Sequence, residues 1–304
     1  SLTLAKLEKL LQSKFQKEPD SIMKYIFESA KKGDFSDFRN LCDPYGENDG
    51  DVRLICNAEI LSKRLRNELQ DTFKNGRIIG KAIIEDDRAE IAGIKFKVIQ
   101  NGDSDRRYIW LHGDEQTARM ALENHMKRYK GKAFLVQGIL RESEFFGGII
   151  DPNRIFSSDG AQANIQKYNP KWTQRKKRES LLAINKDRKS FFESIFPPNG
   201  EVLVALHNNY KGYNIYKELS SSDANSIKKD QNPRDFFICT NRSDYEILSR
   251  SPFNVVLQEK PPNKDDGSLS WAANRNEIRY VNIETRLGWL SQQKKMLNFI
   301  EKNL

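Results

Sequence analysis

The feature that most constrains this chain is a row of short apolar runs in its last two thirds: IKFKVI, RYIWLH, KAFLVQGIL, EVLVALH, DFFICT, NVVLQ and RYVNIE. Each has the length of a strand rather than a helix. Between them lie segments with apolar residues at helical spacing, ARMALENHMKRY, RESLLAINKDRKSFFESIF, SDYEILSR and LGWLSQQKKMLNFIEKNL. Runs that are apolar almost throughout suit strands covered on both faces. Their alternation with helices predicts an α/β fold, a mixed, mostly parallel sheet with helices on both faces. Ligands of such sheets bind beyond the carboxyl ends of the strands.

The front of the chain has a different texture. LAKLEKLLQSKF, DSIMKYIFESAKK after Pro19, DFSDFRNLC and NAEILSKRLRNELQDTFKNG read as helices, the last ending on Asn75-Gly76. RIIGKAIIEDDRAEIAGIKFKVI then alternates as strands broken by polar turns. Residues 1–91 are therefore read as a small α+β accessory domain and residues 92–304 as the α/β domain. The front part resembles the NTF2-like accessory domains of bacterial exported proteins, which implies an exported or periplasmic protein. Cys42 and Cys56 bracket a loop rich in Gly, Asp and Asn. Their spacing fits a disulfide or two free thiols equally. No CxxC occurs among the three cysteines, which argues against a cysteine-based zinc site.

Charge is unevenly spread. Residues 1–90 hold 16 basic and 17 acidic residues, so the whole net charge of +9 comes from the remainder. Much of it lies in KYNPKWTQRKKRESLLAINKDRK, Lys167 to Lys189, with nine basic residues against two acids. The plain reading is a solvated helix face; the sharper one is a patch for an anionic partner. Nucleic acid is the weakest version, because only Tyr168 and Trp172 interleave with the basic residues as stacking platforms would. No apolar run approaches the roughly 20 residues of a membrane helix.

Polar residues of distinct chemistry stand at the ends of the apolar runs. RYIWLH ends at His112 with Glu115 three residues on, EVLVALH ends at His207 before Asn208 and Asn209, and RYVNIE ends at Glu284. IIDPNRIFSS brings Asn153 and Arg154 between the first two. Alone, each has a bland reading: a core histidine bonded to a carbonyl, an acid in a first helical turn, an arginine paired with an acid. The chain has only three histidines, and two stand at strand ends. The third, His125, falls within a helical pattern and reads as structural or surface. Trp110, Trp271 and Trp289 read as core residues. Two histidines and a glutamate are one of the ligand sets of catalytic zinc, which keeps a further position for water.

HGDE at 112–115, DPNRIF at 151–156, LHNN at 206–209 and NIET at 282–285 occur in this order. Together they resemble the zinc carboxypeptidase clan, whose metal motif is HxxE followed much later by a single His. They come nearest to the aspartoacylase and succinylglutamate desuccinylase branch. The resemblance spans roughly residues 94–300 and implies a zinc-carboxypeptidase-like catalytic domain. It implies that His112, Glu115 and His207 bind one zinc ion. Glu284 would be the general base, then the acid. Asn153 and Arg154, with Asn208, would hold the free carboxylate of the substrate. The implied reaction is hydrolysis of an amide beside that carboxylate, in a peptide or an N-acyl amino acid.

The chain departs from that branch in one important respect. The branch carries an arginine shortly before its NR pair to polarise the scissile carbonyl. Here that stretch is EFFGGII, and Arg141 is the nearest upstream candidate. A reading of another class also stands: a non-catalytic binding protein on the same fold that recognises an anionic polymer or glycopeptide through residues 167–189.

Overall fold

A computed structural model describes residues 88–210, 212–262 and 265–304. The helices expected before Gly76, the NTF2-like resemblance and the Cys42–Cys56 pairing lie outside the described residues. The chain divides into two compact units, the larger made of Ala82–Asn209, Tyr213–Thr285 and Leu290–Leu304.

This larger unit opens on a hairpin of β1 (Arg88–Ile91) and β2 (Ile94–Asn101). Ala92 and Gly93 form its two-residue turn, both with positive φ, 50° and 87°. That is the twist a tight hairpin needs. β1 thus pairs across position 92 with the strand that follows it. β3 (Arg107–Trp110) leads to helix α1 (Gln116–His125), and β4 (Gly131–Val136) to a separate hairpin of β5 (Ser143–Phe145) and β6 (Gly148–Ile150). Helices α2 (Ser158–Tyr168) and α3 (Gln174–Ile195) then cross back to β7 (Leu203–Asn209). Beyond β7 come β8 (Ala224–Ser226), β9 (Phe236–Cys239), α4 (Arg242–Ser249) and β10 (Asn254–Leu257). The chain closes with α5 (Leu269–Arg275), β11 (Tyr280–Arg286) and α6 (Leu290–Asn303).

Among the described residues, nine strands make one sheet in the order β1-β2-β4-β3-β7-β11-β9-β10-β8. The pairs β4–β3, β3–β7 and β9–β10 are parallel. The pairs β1–β2, β2–β4, β11–β9 and β10–β8 are antiparallel. Cross-strand partners share a face of a sheet, so the register sorts the core. Val98, Phe134 and Ile109 lie on one face with Phe96, whose ring meets Phe191 of α3 at 5.0 Å. Tyr108 and Trp110 lie on the other. Tyr108 Oη donates to Glu301 of α6, and Trp110 Nε1 donates to the Glu115 carbonyl at the start of α1. Helices therefore cover both faces. This is the mixed α/β sheet that the alternation of apolar runs and helical segments predicts. Trp110 and Trp271 are core residues as expected, whereas Trp289 is exposed.

Candidate metal centre

β3 is buried from Tyr108 onward and stops where the chain turns to enter α1, so His112 and Glu115 are presented beyond its carboxyl end. Gly113 permits the turn. Its N–H donates to the Leu140 carbonyl at 2.9 Å, and a Cβ there would stand 2.6 Å from that oxygen. Glu115 occupies the N-cap position of α1 but makes no capping bond with its side chain. Its carboxylate turns the other way.

That carboxylate is the hub of the site. Its Oε1 lies 2.8 Å from His112 Nδ1 and accepts from Arg141 Nη1 at 2.9 Å. Its Oε2 lies 2.9 Å from His207 Nδ1 and accepts from the Asn208 N–H at 3.1 Å. His112, Glu115 and His207 each offer a ligand atom, all within 4.8 Å of one another, and all three residues are buried. His112 Nε2 faces Asp151 Oδ1 at 3.0 Å, and the same oxygen accepts from the Asn153 N–H. Asp151 is in turn fixed by Asn164 of α2, whose amide nitrogen donates to its carbonyl at 2.7 Å.

Burial pushes the Glu115 carboxyl up, but the imidazoles of His112 and His207 hold it well below the usual carboxylate range. Burial pulls His112 down, yet Glu115 and Asp151 outweigh it and hold the imidazolium up to about 9. With a carboxylate on each ring nitrogen, a metal-free His112 must carry both protons. A cation between His112 Nδ1 and Glu115 would take the place of one proton and leave Nε2–H donating to Asp151. Carboxylate–histidine–metal arrangements have this form. The donor set of two imidazoles and one carboxylate fits zinc.

Glu284 lies on β11 beside this cluster. Asn282, two residues before it on the same face, donates to Oε1 at 3.1 Å, and Asn209 of β7 donates to Oε2 at 3.2 Å. Asn209 is itself gripped by Arg234, whose Nε donates to its Oδ1 at 3.1 Å. Burial raises the Glu284 carboxyl above its ordinary value; the charge of His207 and the two amides oppose that, and Glu115 adds to it. Tyr213 and Tyr280 are both pushed up by burial, then up by Glu284 and down by Arg154.

The remaining candidates divide. Arg141 reaches the cluster from the loop after β4. Arg154 is partly exposed, donates to the Asn153 carbonyl at 2.7 Å and lies 3.7 Å from Asp266. Asn153 Oδ1 accepts from the Leu269 N–H at the start of α5. Asn208 is a correction. Its side chain is buried behind the cluster, where Oδ1 caps the Ala118 N–H and Nδ2 donates to Thr285 and Gln293. It braces α1 against β7 and β11 and has no atom left for a substrate. His125 is structural as expected, buried with Nε2 against Tyr108 Oη and Glu301. Asp151, Asn209 and Asn282 lie inside DPNRIF, LHNN and NIET without standing out there as site residues; Tyr213 and Tyr280 carry no signal in the sequence.

No family model and no curated protein matches the chain. Solved structures of similar architecture exist at low identity. The succinylglutamate desuccinylase/aspartoacylase from Rhodobacter sphaeroides is 15% identical with a TM-score of 0.40, over 75% of this chain and 68% of that one. The apo ectoine utilization protein EutE (DoeB) from Ruegeria pomeroyi is 14% identical with a TM-score of 0.37, over 68% of this chain and 59% of that one. The Legionella pneumophila LapA aminopeptidase is 10% identical with a TM-score of 0.37, over 94% of this chain and 74% of that one.

Proposed function

We propose that this chain is a zinc-dependent hydrolase that cleaves an amide bond beside a free carboxylate, in a peptide or an N-acyl amino acid. The observation that carries the reading is the convergence of His112 and His207 Nδ1 on the Glu115 carboxylate, at 2.8 and 2.9 Å. Zinc held by these three residues supplies Lewis acidity and a water whose pKa falls to about 7.

The chain's own residues do the rest. Glu284 takes the proton of the attacking water and returns it to the leaving nitrogen, a role worth on the order of 10²–10⁴ in rate. Its raised carboxyl suits both halves of that cycle. Asn209 and Asn282 fix its two oxygens, so the base does not swing away between steps. Arg141 brings a guanidinium to the cluster and steadies the negative charge that develops on the carbonyl oxygen. Arg154 pairs with the free carboxylate of the substrate, with the Asn153 amide beside it. Asp151 keeps His112 in the tautomer that leaves Nδ1 free as a ligand.

The experiment joins metal analysis to turnover on a panel of N-acetyl amino acids and dipeptides. About one zinc per chain is expected, lost in His112→Ala. Glu284→Gln keeps the metal and loses turnover on the order of 10²-fold or more. The reading fails if His112→Ala, Glu115→Ala and Glu284→Gln all leave hydrolysis of a confirmed amide substrate intact.

A further inference from the structure

The basic segment lies against the metal centre rather than on a remote face. α2 is clamped to the strand that enters the site by two asparagines acting as backbone mimics. Asn164 donates to the Asp151 carbonyl at 2.7 Å and accepts from its N–H at 3.4 Å. Asn169, just past α2, does the same to Ile149, at 2.8 and 3.2 Å. Gly148 lets the second clamp close, since a Cβ there would fall 2.6 Å from the Trp172 ring and closer still to Asn169 Oδ1. Trp172 stacks on Phe145 of β5 and carries Lys176 Nζ 4.2 Å above its ring. The turn between α2 and α3 is thus bolted to β5 and β6, two residues from the aspartate that bonds His112.

On that turn and the helix ends beside it stand Lys167, Lys171, Arg175, Lys176, Lys177 and Arg178. Four of these cations fall in the first turns of α3, which holds no acid in its first turn. The helix dipole disfavours cations there. The two acids of the segment are spent internally: Glu179 on Arg175, and Asp187 on the Ala92 N–H. Among the described residues, Lys167, Lys171 and Arg178 have no carboxylate partner. Lys167 lies 4.7 Å from the Tyr168 ring, and that phenol is raised by burial and then by Asp151 and Glu142. The basic segment is therefore tied to the candidate metal centre by the Asn164 and Asn169 clamps.

We propose that this surface binds an acidic peptide, and that the substrate of the amide-cleaving centre carries clustered carboxylates beyond the one at its scissile end. The second half of this rests on the hydrolase reading; the first does not. A peptide fits better than a nucleic acid. Trp172 is covered by Phe145 and Lys176, and Tyr168 is faced by Lys167, so neither offers an open stacking platform.

The test is fluorescence anisotropy of the full chain with a labelled octaglutamate peptide, from about 50 to 300 mM salt. Tight binding at low salt that weakens steeply as salt rises is expected. Lys171→Glu, Arg175→Glu and Arg178→Glu together weaken it at least tenfold and flatten the salt dependence; the corresponding Gln triple gives a smaller loss of the same sign. Both triples change exposed positions, and thermal melts check their folding. His112→Ala and Glu284→Gln bind like wild type, so loss of catalysis and loss of the surface separate. The proposal is overturned if octaglutamate does not bind at low salt or if the Glu triple binds it as tightly as wild type. It is also overturned if a DNA duplex or phosphatidylserine vesicles displace octaglutamate more effectively than unlabelled octaglutamate does.

Discussion

At the scale of single residues, Glu284 carries the clearest conflict between stability and function. Burial first, and then the neighbouring Glu115 charge, raise its folded-state carboxyl above the ordinary range. In the metal-free protein its ionisation therefore opposes folding. The penalty is absent below the unfolded value of about 4.3. It grows as pH rises through that value and levels off above the folded one. Glu284→Gln should make the metal-free protein more stable than wild type at pH 7–8, with the difference closing toward pH 4. Asn282 can accommodate the change, because its Oδ1 has no partner among the described residues and a flipped amide accepts from the new side chain. Chemical denaturation at several pH values measures it; a variant less stable than wild type at pH 8 would count against the buried, costly carboxylate. Residues of this kind are only partly legible in the sequence. His112, Glu115 and His207 stand out because histidine is scarce and the chain order is informative. Asp151 does not, because its bond to His112 crosses 39 positions. Asn208 misleads for a geometric reason. Successive side chains on a strand point to opposite faces, so the residue after His207 looks away from the cluster that His207 joins.

At the scale of elements, the last turn of α6 is tied down by one acid. Glu301 Oε2 accepts from Tyr108 Oη at 2.7 Å and Arg106 Nη1 at 3.2 Å, and lies 3.1 Å from His125 Nε2. This joins α6 to β3 and to the end of α1, the helix that Glu115 begins. Burial pushes the Glu301 carboxyl up, but the bonds from His125 and Tyr108 and the Arg106 charge prevail and hold it low. Its contribution is present above the unfolded carboxylate value and is lost as pH falls through the depressed folded one. Glu301→Gln should cost about 1–3 kcal/mol at pH 7, and that cost should be smaller at pH 3. Urea melts at both pH values decide it, and an equal cost at both would mean the loss is one of packing. Strand existence is legible from the apolar runs, but strand ends are not. β7 and β11 each run two residues past the expected stop, through Asn208-Asn209 and Thr285-Arg286. Asn208 and Asn209 look like turn formers in sequence, yet both are buried with their amides bonded. The β5–β6 hairpin leaves no mark in the sequence. EFFGGII is too short and too glycine-rich to alternate, and it is held by a clamp from Asn169 that no local pattern announces.

At the scale of the whole molecule, the sheet gathers candidate ligands from β7 and from the β3–α1 turn, with the candidate base on β11, so a metal bound there would couple to folding. Zinc that binds only the folded chain adds about 2.7 kcal/mol when free metal exceeds its Kd about a hundredfold. At roughly 2–4 °C per kcal/mol for a unit of this size, that is a rise in Tm of about 5–11 °C. The rise should depend on pH with a definite sign. In the metal-free protein burial lowers His112, but Glu115 and Asp151 outweigh it and hold the imidazolium up to about 9. The stability that this proton contributes is fully present below the unfolded value of about 6.5 and is lost as pH rises through 9. Zinc must displace the same proton to reach Nδ1, so its affinity falls as pH is lowered. Both effects act in one direction. The gain in Tm from zinc should be larger at pH 8.5 than at pH 6, and His112→Ala should show none at either. Paired thermal scans with zinc and with chelator measure it. A gain that ignores pH, or that survives in His112→Ala, would place the bound metal elsewhere on the chain and detach the sheet-end cluster from the chemistry argued for it.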